Sequence, residues 1–125
     1  MNGCADDGKP IFVQIAVLLE NAILNGAYAE ESQIPSITEF SVAYKINPAT
    51  ALKGVNILVE AGLLYKKRGM GMFVAAGARK KLVDRRKESF FCDYIQPLLT
   101  EAKRLSINEQ KLVEMIERGD DNYEY

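Results

Sequence analysis

Apolar residues recur at helical spacing near the start of the chain. The series predicts a helix that begins at Pro10 and ends before Gly26, because a glycine just past a helix end takes a left-handed conformation at little cost. The apolar face of this helix consists of Ile11, Ile15, Leu18, Leu19, Ala22 and Ile23. We expect the polar residues 1–9 to be flexible and residues 27–34 to form a short connection.

A capping box marks the start of the next helix. Ser36 and Glu39 have the spacing at which each side chain bonds the free backbone N–H of the other residue. This motif predicts a short helix from Ile37 to about Tyr44. The positions expected to face inward are Ile37, Phe40 and either Ala43 or Tyr44.

A third helix is predicted from Pro48 to about Ala61, with Gly62 ending it. Asn47 is a favourable N-cap residue, and proline suits the first helical position. The apolar positions of this helix are Ala51, Val55, Leu58 and Val59. Gly54 lies inside the helix at a cost of about 1 kcal/mol relative to alanine, which indicates close packing against another helix.

Two short strands are predicted after the third helix. Residues 63–65 form the first strand, residues 66–71 the turn and residues 72–75 the returning strand. Two closely spaced helices followed at once by a β-hairpin are typical of a winged helix-turn-helix. We therefore predict this fold for residues 10–76.

The chain changes character at residue 77. After a charged stretch over residues 79–87, apolar residues recur at helical spacing, and Pro97 should bend or split the helix that they form. A second capping box, from Ser106 to Glu109, predicts a last helix that ends at Gly119. The apolar side chains are too numerous for exposed helices, so we expect a homodimer interface. Its predicted residues are Phe90, Phe91, Tyr94, Ile95, Leu98, Leu99, Leu112 and Ile116.

The predicted fold class is mostly α with a small β-hairpin. The N-terminal winged helix-turn-helix is followed by a C-terminal two-helix dimerisation segment at residues 77–119 and an acidic tail at residues 120–125. An effector pocket between subunits, lined by Tyr94 and the phenylalanines, is a less favoured use of the same aromatic residues.

Composition narrows the function. The chain of 125 residues has a formal net charge of -1 at pH 7, so a DNA-binding face must come from a local cluster of cations. It contains no histidine, and Cys4 and Cys92 match no metal-ligand spacing. Because no catalytic motif is present either, we expect a protein that is not an enzyme and holds no cofactor or metal. The absence of a signal peptide and of an apolar stretch of about 20 residues predicts a cytoplasmic protein with no membrane partner.

Residues 26–74 resemble the DNA-binding domain of the GntR family of bacterial regulators. The motifs that carry the resemblance are Ile34-Pro35-Ser36, Asn47-Pro48-Ala49-Thr50, Glu60-Ala61-Gly62-Leu63-Leu64 and Lys67-Arg68-Gly69-Met70-Gly71-Met72-Phe73-Val74. The Asn-Pro-x-Thr motif and the short C-terminal part are similar to the YtrA-like subfamily, which implies dimerisation through two C-terminal helices. Thr38 and Pro48 replace arginines with which many relatives contact DNA, so the resemblance implies no particular operator sequence.

Two surfaces are predicted to contact double-stranded DNA. The start of the third helix should enter the major groove while the second helix crosses the backbone. The candidates on these helices are Ser36, Thr38, Asn47, Ala49, Thr50 and Lys53. The hairpin should reach phosphates or the minor groove. Its candidates are Lys66, Lys67, Arg68, Gly69 and Gly71.

Structural explanations stay open for several of these candidates. Ser36 and Asn47 are also helix caps, Thr50 and Lys53 are also ordinary surface positions, and cations on a hairpin discourage edge pairing. For the basic run over residues 79–87, a solvated helix face is favoured over phosphate contact.

We predict a sequence-specific transcription regulator that acts as a dimeric repressor at a palindromic operator. The alternative is a winged-helix module that binds proteins and has no specific affinity for DNA. A small-molecule effector of unidentified class is left open as a further partner.

Overall fold

The computed structural model describes residues 9–119, so the predictions for residues 1–8 and for the acidic tail fall outside the described residues. The elements in chain order are α1 (Ile11–Leu24), α2 (Ile37–Tyr44), α3 (Pro48–Glu60), β1 (Leu64–Lys67), β2 (Gly71–Val74), α4 (Ala78–Phe90), a π-helical turn (Phe91–Ile95), α5 (Gln96–Arg104) and α6 (Glu109–Arg118). This architecture confirms the predicted fold class. The chain forms two compact units divided between Glu88 and Ser89. The predicted functional division at residue 77 stays a prediction.

Helices α1 and α3 pack closely because α3 has no side chain at their point of contact. A β-carbon on the buried Gly54 would lie 2.8 Å from Ile15 Cγ2 and 2.9 Å from the Phe12 carbonyl oxygen. The predicted reason for a glycine inside α3 is therefore confirmed. The close approach lets the two helices bury a shared apolar surface, which contributes about 25 cal/mol for each Å² removed from water.

The buried stripe of α1 is narrower than its apolar pattern suggests. Its buried residues are Ile15, Ala16, Leu19 and Ile23. Ile11 and Leu18, which belong to the predicted apolar face, are exposed, with exposed fractions of 53% and 37%. Both lie at the margins of the buried stripe. The unpredicted Ala16 is also buried and belongs to the same hydrophobic core.

The predicted starts of α2 and α3 are confirmed. Ser36 Oγ accepts a hydrogen bond from the Glu39 N–H at 3.0 Å, and Glu39 Oε1 accepts one from the Ser36 N–H at 2.9 Å. Asn47 Oδ1 accepts a hydrogen bond from the Ala49 N–H at 2.7 Å, with Pro48 next to it in the first turn. These bonds satisfy donors that a helix start otherwise leaves free.

The inward face of α2 differs from the prediction at its end. Phe40 is buried, whereas Ala43 and Tyr44 are both exposed. Ser41 takes the buried position instead, and its hydroxyl donates a hydrogen bond to the Thr38 carbonyl at 3.0 Å. A hydroxyl satisfied within its own helix can be buried at little cost, and a pattern of apolar residues does not reveal such a position.

The turn of the hairpin is shorter than predicted. β1 and β2 pair antiparallel as far as Lys67 and Gly71, so Lys66 and Lys67 are strand residues rather than turn residues. The Met70 N–H donates a hydrogen bond to the Lys67 carbonyl at 2.9 Å, and Gly69 adopts a φ of 77°. A glycine tolerates this left-handed conformation, and the tight turn can therefore close early.

Residues 31–34 pair with the outer edge of β2, where the sequence predicted only a connection. The Val74 N–H donates a hydrogen bond to the Ser32 carbonyl at 2.9 Å, and Gln33 and Phe73 form a β-bridge. Strand β2 thus has a partner on both sides, which satisfies its backbone groups. The sequence does not indicate this pairing because residues 31–34 do not alternate between apolar and polar.

The chain stays helical past Pro97 and is not split there. The Gln96 N–H donates to the Phe91 carbonyl, five residues earlier, in the π-helical turn that precedes the proline. Because proline has no N–H to donate, the hydrogen-bond pattern must change near it, and here it changes to the wider turn.

Helix α6 begins later than its predicted cap. The prediction that Ser106 caps this helix is wrong, because Ser106 has a left-handed φ of 57° and an N-cap residue is extended. Asn108 is the cap instead, and its Oδ1 accepts a hydrogen bond from the Lys111 N–H at 2.8 Å.

Substitution of Gly54 tests the close packing of α1 and α3. We expect Gly54→Ala to lower the free energy of unfolding by about 1–3 kcal/mol, because the added methyl overlaps Ile15 and Phe12 despite the higher helix propensity of alanine. Urea unfolding followed by circular dichroism measures the change. Glu60→Ala, at an exposed position of the same helix, is the control and should stay within about 0.5 kcal/mol of the parent. A stabilised Gly54→Ala protein would contradict the close approach.

Candidate nucleic-acid interface

The side of α3 that faces away from the core is exposed. The buried residues of this helix are Ala51, Gly54, Val55 and Leu58. Helical periodicity places a second set on the opposite side. This exposed set consists of Ala49, Leu52, Lys53, Asn56 and, at the end of the helix, Glu60. Thr50, a predicted contact residue, is half-buried at the margin, whereas Ala49 and Lys53 belong to the exposed side.

Lys53 lies on the α1 side of this exposed face. Its Nζ is 4.8 Å from the centroid of the Phe12 ring, a cation–π contact worth about 0.5–1 kcal/mol at an exposed site. Its side chain is still exposed, and no acidic side chain pairs with it in the described part of the chain. Leu52 and Asn56 lie on the side of α3 that faces the hairpin, and both line a groove there.

That groove, of about 320 Å³, separates α3 from the hairpin. Leu52 and Asn56 line it on α3, Lys66 lines it on the hairpin, and Ser36 lines it at the start of α2. The structure therefore brings the predicted contact residues Ser36, Lys66 and Gly71 to one site. Thr38 is exposed but does not line the groove.

Three neighbouring cations on the hairpin have no acidic partner. Lys66, Lys67 and Arg68 are exposed, and within residues 9–119 no carboxylate pairs with any of them. Lys67 Nζ lies 4.5 Å from the centroid of the Phe73 ring, which supports its side chain without neutralising it. The hairpin thus carries a local cluster of positive charge, although the formal net charge of the whole chain is -1.

Gln33 anchors the hairpin turn, and the sequence pattern did not reveal it. Its side-chain N–H donates a hydrogen bond to the Met70 carbonyl. Gly71 has a φ of 122°, and a β-carbon there would lie 2.6 Å from Gln33 Nε2. Gly71 is therefore required by the turn itself, and DNA contact by Gly69 and Gly71 stays a prediction.

A second link joins β1 to the segment that contains Gln33. The Tyr65 hydroxyl donates a hydrogen bond to Glu31 Oε1 at 2.7 Å. This hydrogen bond, with a smaller effect of desolvation, raises the pKa of Tyr65 above its ordinary value. With this link and the Gln33 bond, the hairpin is held at both its turn and its first strand.

The basic run on α4 is largely engaged within the protein. Arg85 and Arg86 each donate to a carboxylate oxygen of Glu20, both at 2.9 Å. Lys80 pairs with Asp84 at 2.8 Å, and this hydrogen bond lowers the pKa of Asp84 and raises that of Lys80. These contacts favour a structural role for the run over phosphate contact.

Glu30 caps the start of α4 from a distant part of the chain. Its carboxylate accepts hydrogen bonds from the Gly77 N–H at 2.9 Å and from the Arg79 N–H at 3.2 Å. The Arg79 side chain in turn donates to the Leu24 carbonyl at the end of α1, at 3.0 Å. A carboxylate at a helix start and a guanidinium at a helix end both match the helix dipole.

The second compact unit exposes large apolar side chains. Exposed among the predicted interface residues are Phe90, Phe91, Tyr94, Leu98, Leu99 and Ile116. Phe91 and Tyr94 have exposed fractions of 54% and 61%, whereas Ile95 and Leu112 are half-buried. A cluster of this kind is typical of a surface that a partner covers.

No helix within residues 9–119 is both long and apolar enough to cross a membrane. The same residues contain no group of three or more histidine, cysteine, aspartate or glutamate side chains placed to hold a metal ion.

Comparison with known proteins gives one family and several relatives. The family described as "Bacterial regulatory proteins, gntR family" matches residues 12–74. The HTH-type transcriptional repressor YtrA of Bacillus subtilis is 26% identical over 107 residues, which are 86% of this chain and 82% of that protein.

Two solved structures are also similar. The first, a GntR-family regulator from Bacteroides thetaiotaomicron, has a TM-score of 0.68 at 32% identity and covers 87% of this chain and 95% of its own. The second, the AraR DNA-binding domain in complex with operator ORX1, has a TM-score of 0.54 at 27% identity and covers 60% of this chain and 90% of its own. These findings favour DNA binding over the alternative of a protein-interaction module.

Removal of the Gln33 side chain should loosen the hairpin turn. We expect Gln33→Ala to accelerate hydrogen exchange of the Met70 amide by about fivefold or more, since a hydrogen bond contributes about 1 kcal/mol. Nuclear magnetic resonance measures the rate. The control is Gln14→Ala on α1. It removes an equivalent side-chain hydrogen bond, to the Lys9 carbonyl, and should leave the exchange rate of the Met70 amide unchanged. Equal exchange in both variants would exclude the anchoring role.

Proposed function

The chain belongs to the GntR family of bacterial regulatory proteins and is a DNA-binding transcription regulator; we propose that it acts as a homodimeric repressor at a palindromic operator. One observation carries the proposal: the exposed side of α3 and the three exposed cations Lys66, Lys67 and Arg68 belong to the same compact unit. Bacterial DNA lies in the cytoplasm, and the regulator would act there, by occupying DNA rather than by bond chemistry.

The first unit would place α3 in the major groove. In this arrangement the first turn of the helix reaches base edges while α2 crosses the backbone. Ala49, Thr50 and Lys53 are the candidates for base or phosphate contact. Asn47 uses its side-chain oxygen to cap α3, which leaves its amide N–H groups as the donors for DNA.

The hairpin would supply most of the phosphate contact. Cations that pair with phosphates release counterions, so their number sets the dependence of the affinity on salt. Lys66 lies at the groove beside α3, and Arg68 lies in the turn. The anchoring of the turn by Gln33 keeps these cations in place before DNA arrives, which reduces the entropic cost of binding.

The second unit would join two copies of the chain. Its exposed aromatic and aliphatic side chains would be covered by the same side chains of a second subunit, in a two-fold symmetric interface. Two first units related by this symmetry fit a palindromic operator. YtrA, which aligns with most of this chain, is a repressor. Repression would follow when the bound dimer occludes a promoter.

Neutralisation of the hairpin cations should change the salt dependence of binding. We expect Lys66→Ala/Lys67→Ala/Arg68→Ala to flatten the slope of log affinity against log salt by about one unit for each phosphate that is no longer neutralised. Fluorescence anisotropy with an operator selected from random DNA measures this slope.

The control is the triple variant Lys80→Ala/Lys81→Ala/Lys87→Ala, which removes the same charge from α4. We expect it to keep nearly the slope of the parent protein, because α4 is not part of the proposed surface. If the two triple variants behave alike, the hairpin has no special role. If the parent protein selects no sequence and shows no slope, the proposed mode of DNA binding is wrong.

A charge in the apolar surface of the second unit should separate the subunits. We expect Tyr94→Glu to weaken dimerisation by about 30-fold or more, because a buried unpaired carboxylate costs at least about 2 kcal/mol. Analytical ultracentrifugation measures the association constant. Val42→Glu changes an apolar residue of the first unit that is 72% exposed, and it should remain dimeric. A parent chain that is monomeric at all concentrations would rule out the homodimer.

A further inference from the structure

Leu52 is an exposed leucine on α3, whose contacts with the core are made by other residues. Its exposed fraction is 46%, whereas Ala51 and Val55, which α3 packs into the core, are at most 1% exposed. Packing of α3 therefore does not require a large apolar residue at position 52. The side chain of Leu52 is therefore available for contact with a partner that presents an apolar group.

The surroundings of Leu52 define the chemistry of that partner. Leu52 lines the groove between α3 and the hairpin, together with the apolar Ile37 and Met72 and the cation Lys66. None of the described residues that line the groove is acidic. Because Lys66 and its neighbours on the hairpin lack acidic partners within residues 9–119, the groove suits an anionic partner that also presents an apolar group.

Double-stranded DNA has one such apolar group on its base edges. The 5-methyl group of thymine lies in the major groove, and it distinguishes thymine from cytosine by an apolar contact. Leu52 cannot donate or accept a hydrogen bond through its side chain, so it cannot read any other feature of a base edge. Lys53 is drawn to the α1 side by Phe12, which leaves Leu52 free to reach bases on the side of the hairpin.

We propose that Leu52 contacts the methyl group of one thymine in each operator half-site and selects thymine at that position. This contact presupposes the DNA binding proposed above and adds a residue that determines its specificity. Leu52 would then be an apolar contact residue on the exposed face of α3, within one helical turn of Ala49 and Lys53.

Replacement of thymine by deoxyuridine tests the contact directly, because it deletes the methyl group and leaves all hydrogen-bonding groups in place. An operator is first selected from random DNA with the full chain, and each thymine of a half-site is then replaced in turn. We expect one replacement to weaken binding by the parent chain by about fourfold, the effect of one buried methyl group. Leu52→Ala should bind the thymine operator about as weakly and should lose nothing further on the replacement.

Leu18→Ala is the matched control, since Leu18 is an exposed leucine of α1, and it should keep the full sensitivity to deoxyuridine. Circular dichroism checks that both variants fold. If Leu52→Ala does not fold, Leu52→Gln takes its place and should likewise lose nothing further on the replacement. The contact is excluded if every replacement is bound equally well, if the half-site contains no thymine, or if Leu52→Ala stays sensitive. Failure to select any DNA sequence would instead contradict the proposed function.

Discussion

The close approach of α1 and α3 at Gly54 is the constraint from which the DNA-binding unit is built. A β-carbon on Gly54 would lie only 2.8 Å from Ile15 Cγ2. Because glycine has none, α3 can lie against α1 with its opposite side exposed to solvent. The same contact brings Phe12 under the ammonium of Lys53. The hairpin begins directly past the end of α3, where the Leu63 N–H donates a hydrogen bond to the Leu58 carbonyl. One missing side chain thus determines which residues of α3 are exposed to solvent.

Local signals in the sequence were sufficient to predict the helices. The capping box of Ser36 and Glu39 and the Asn47–Pro48 pair fixed two helix starts, because these bonds form within one turn. The same reasoning failed at Ser106, where the motif fits but the backbone is left-handed and Asn108 caps the helix instead. Apolar spacing identified Ile15 and Leu19 correctly and overestimated the width of the stripe, since spacing does not reveal how much of a helix its neighbour covers.

The candidate site was only partly visible in the sequence, for a related reason. The cations of the hairpin stand next to each other in the chain, so they could be recognised without a structure. The groove depends on residues that are far apart, and neither Gln33 nor Leu52 belongs to a motif. Periodicity could have found Leu52, because it lies on the side of α3 opposite the buried Gly54. Nothing local could have found Gln33, whose partner Met70 lies 37 residues further along the chain.

That separation has a consequence for the order in which the domain forms. Strand β2 meets β1 through a tight turn, which closes quickly, but its other partner is the segment from Glu31 to Ile34, on the far side of α2 and α3. Long loops close more slowly than short ones, so the hairpin forms early and docks late. During synthesis, this segment leaves the ribosome well before β2, so the backbone groups that later pair with β2 are at first without a partner. Helix α3 can thus be folded while the positively charged hairpin beside it is still undocked.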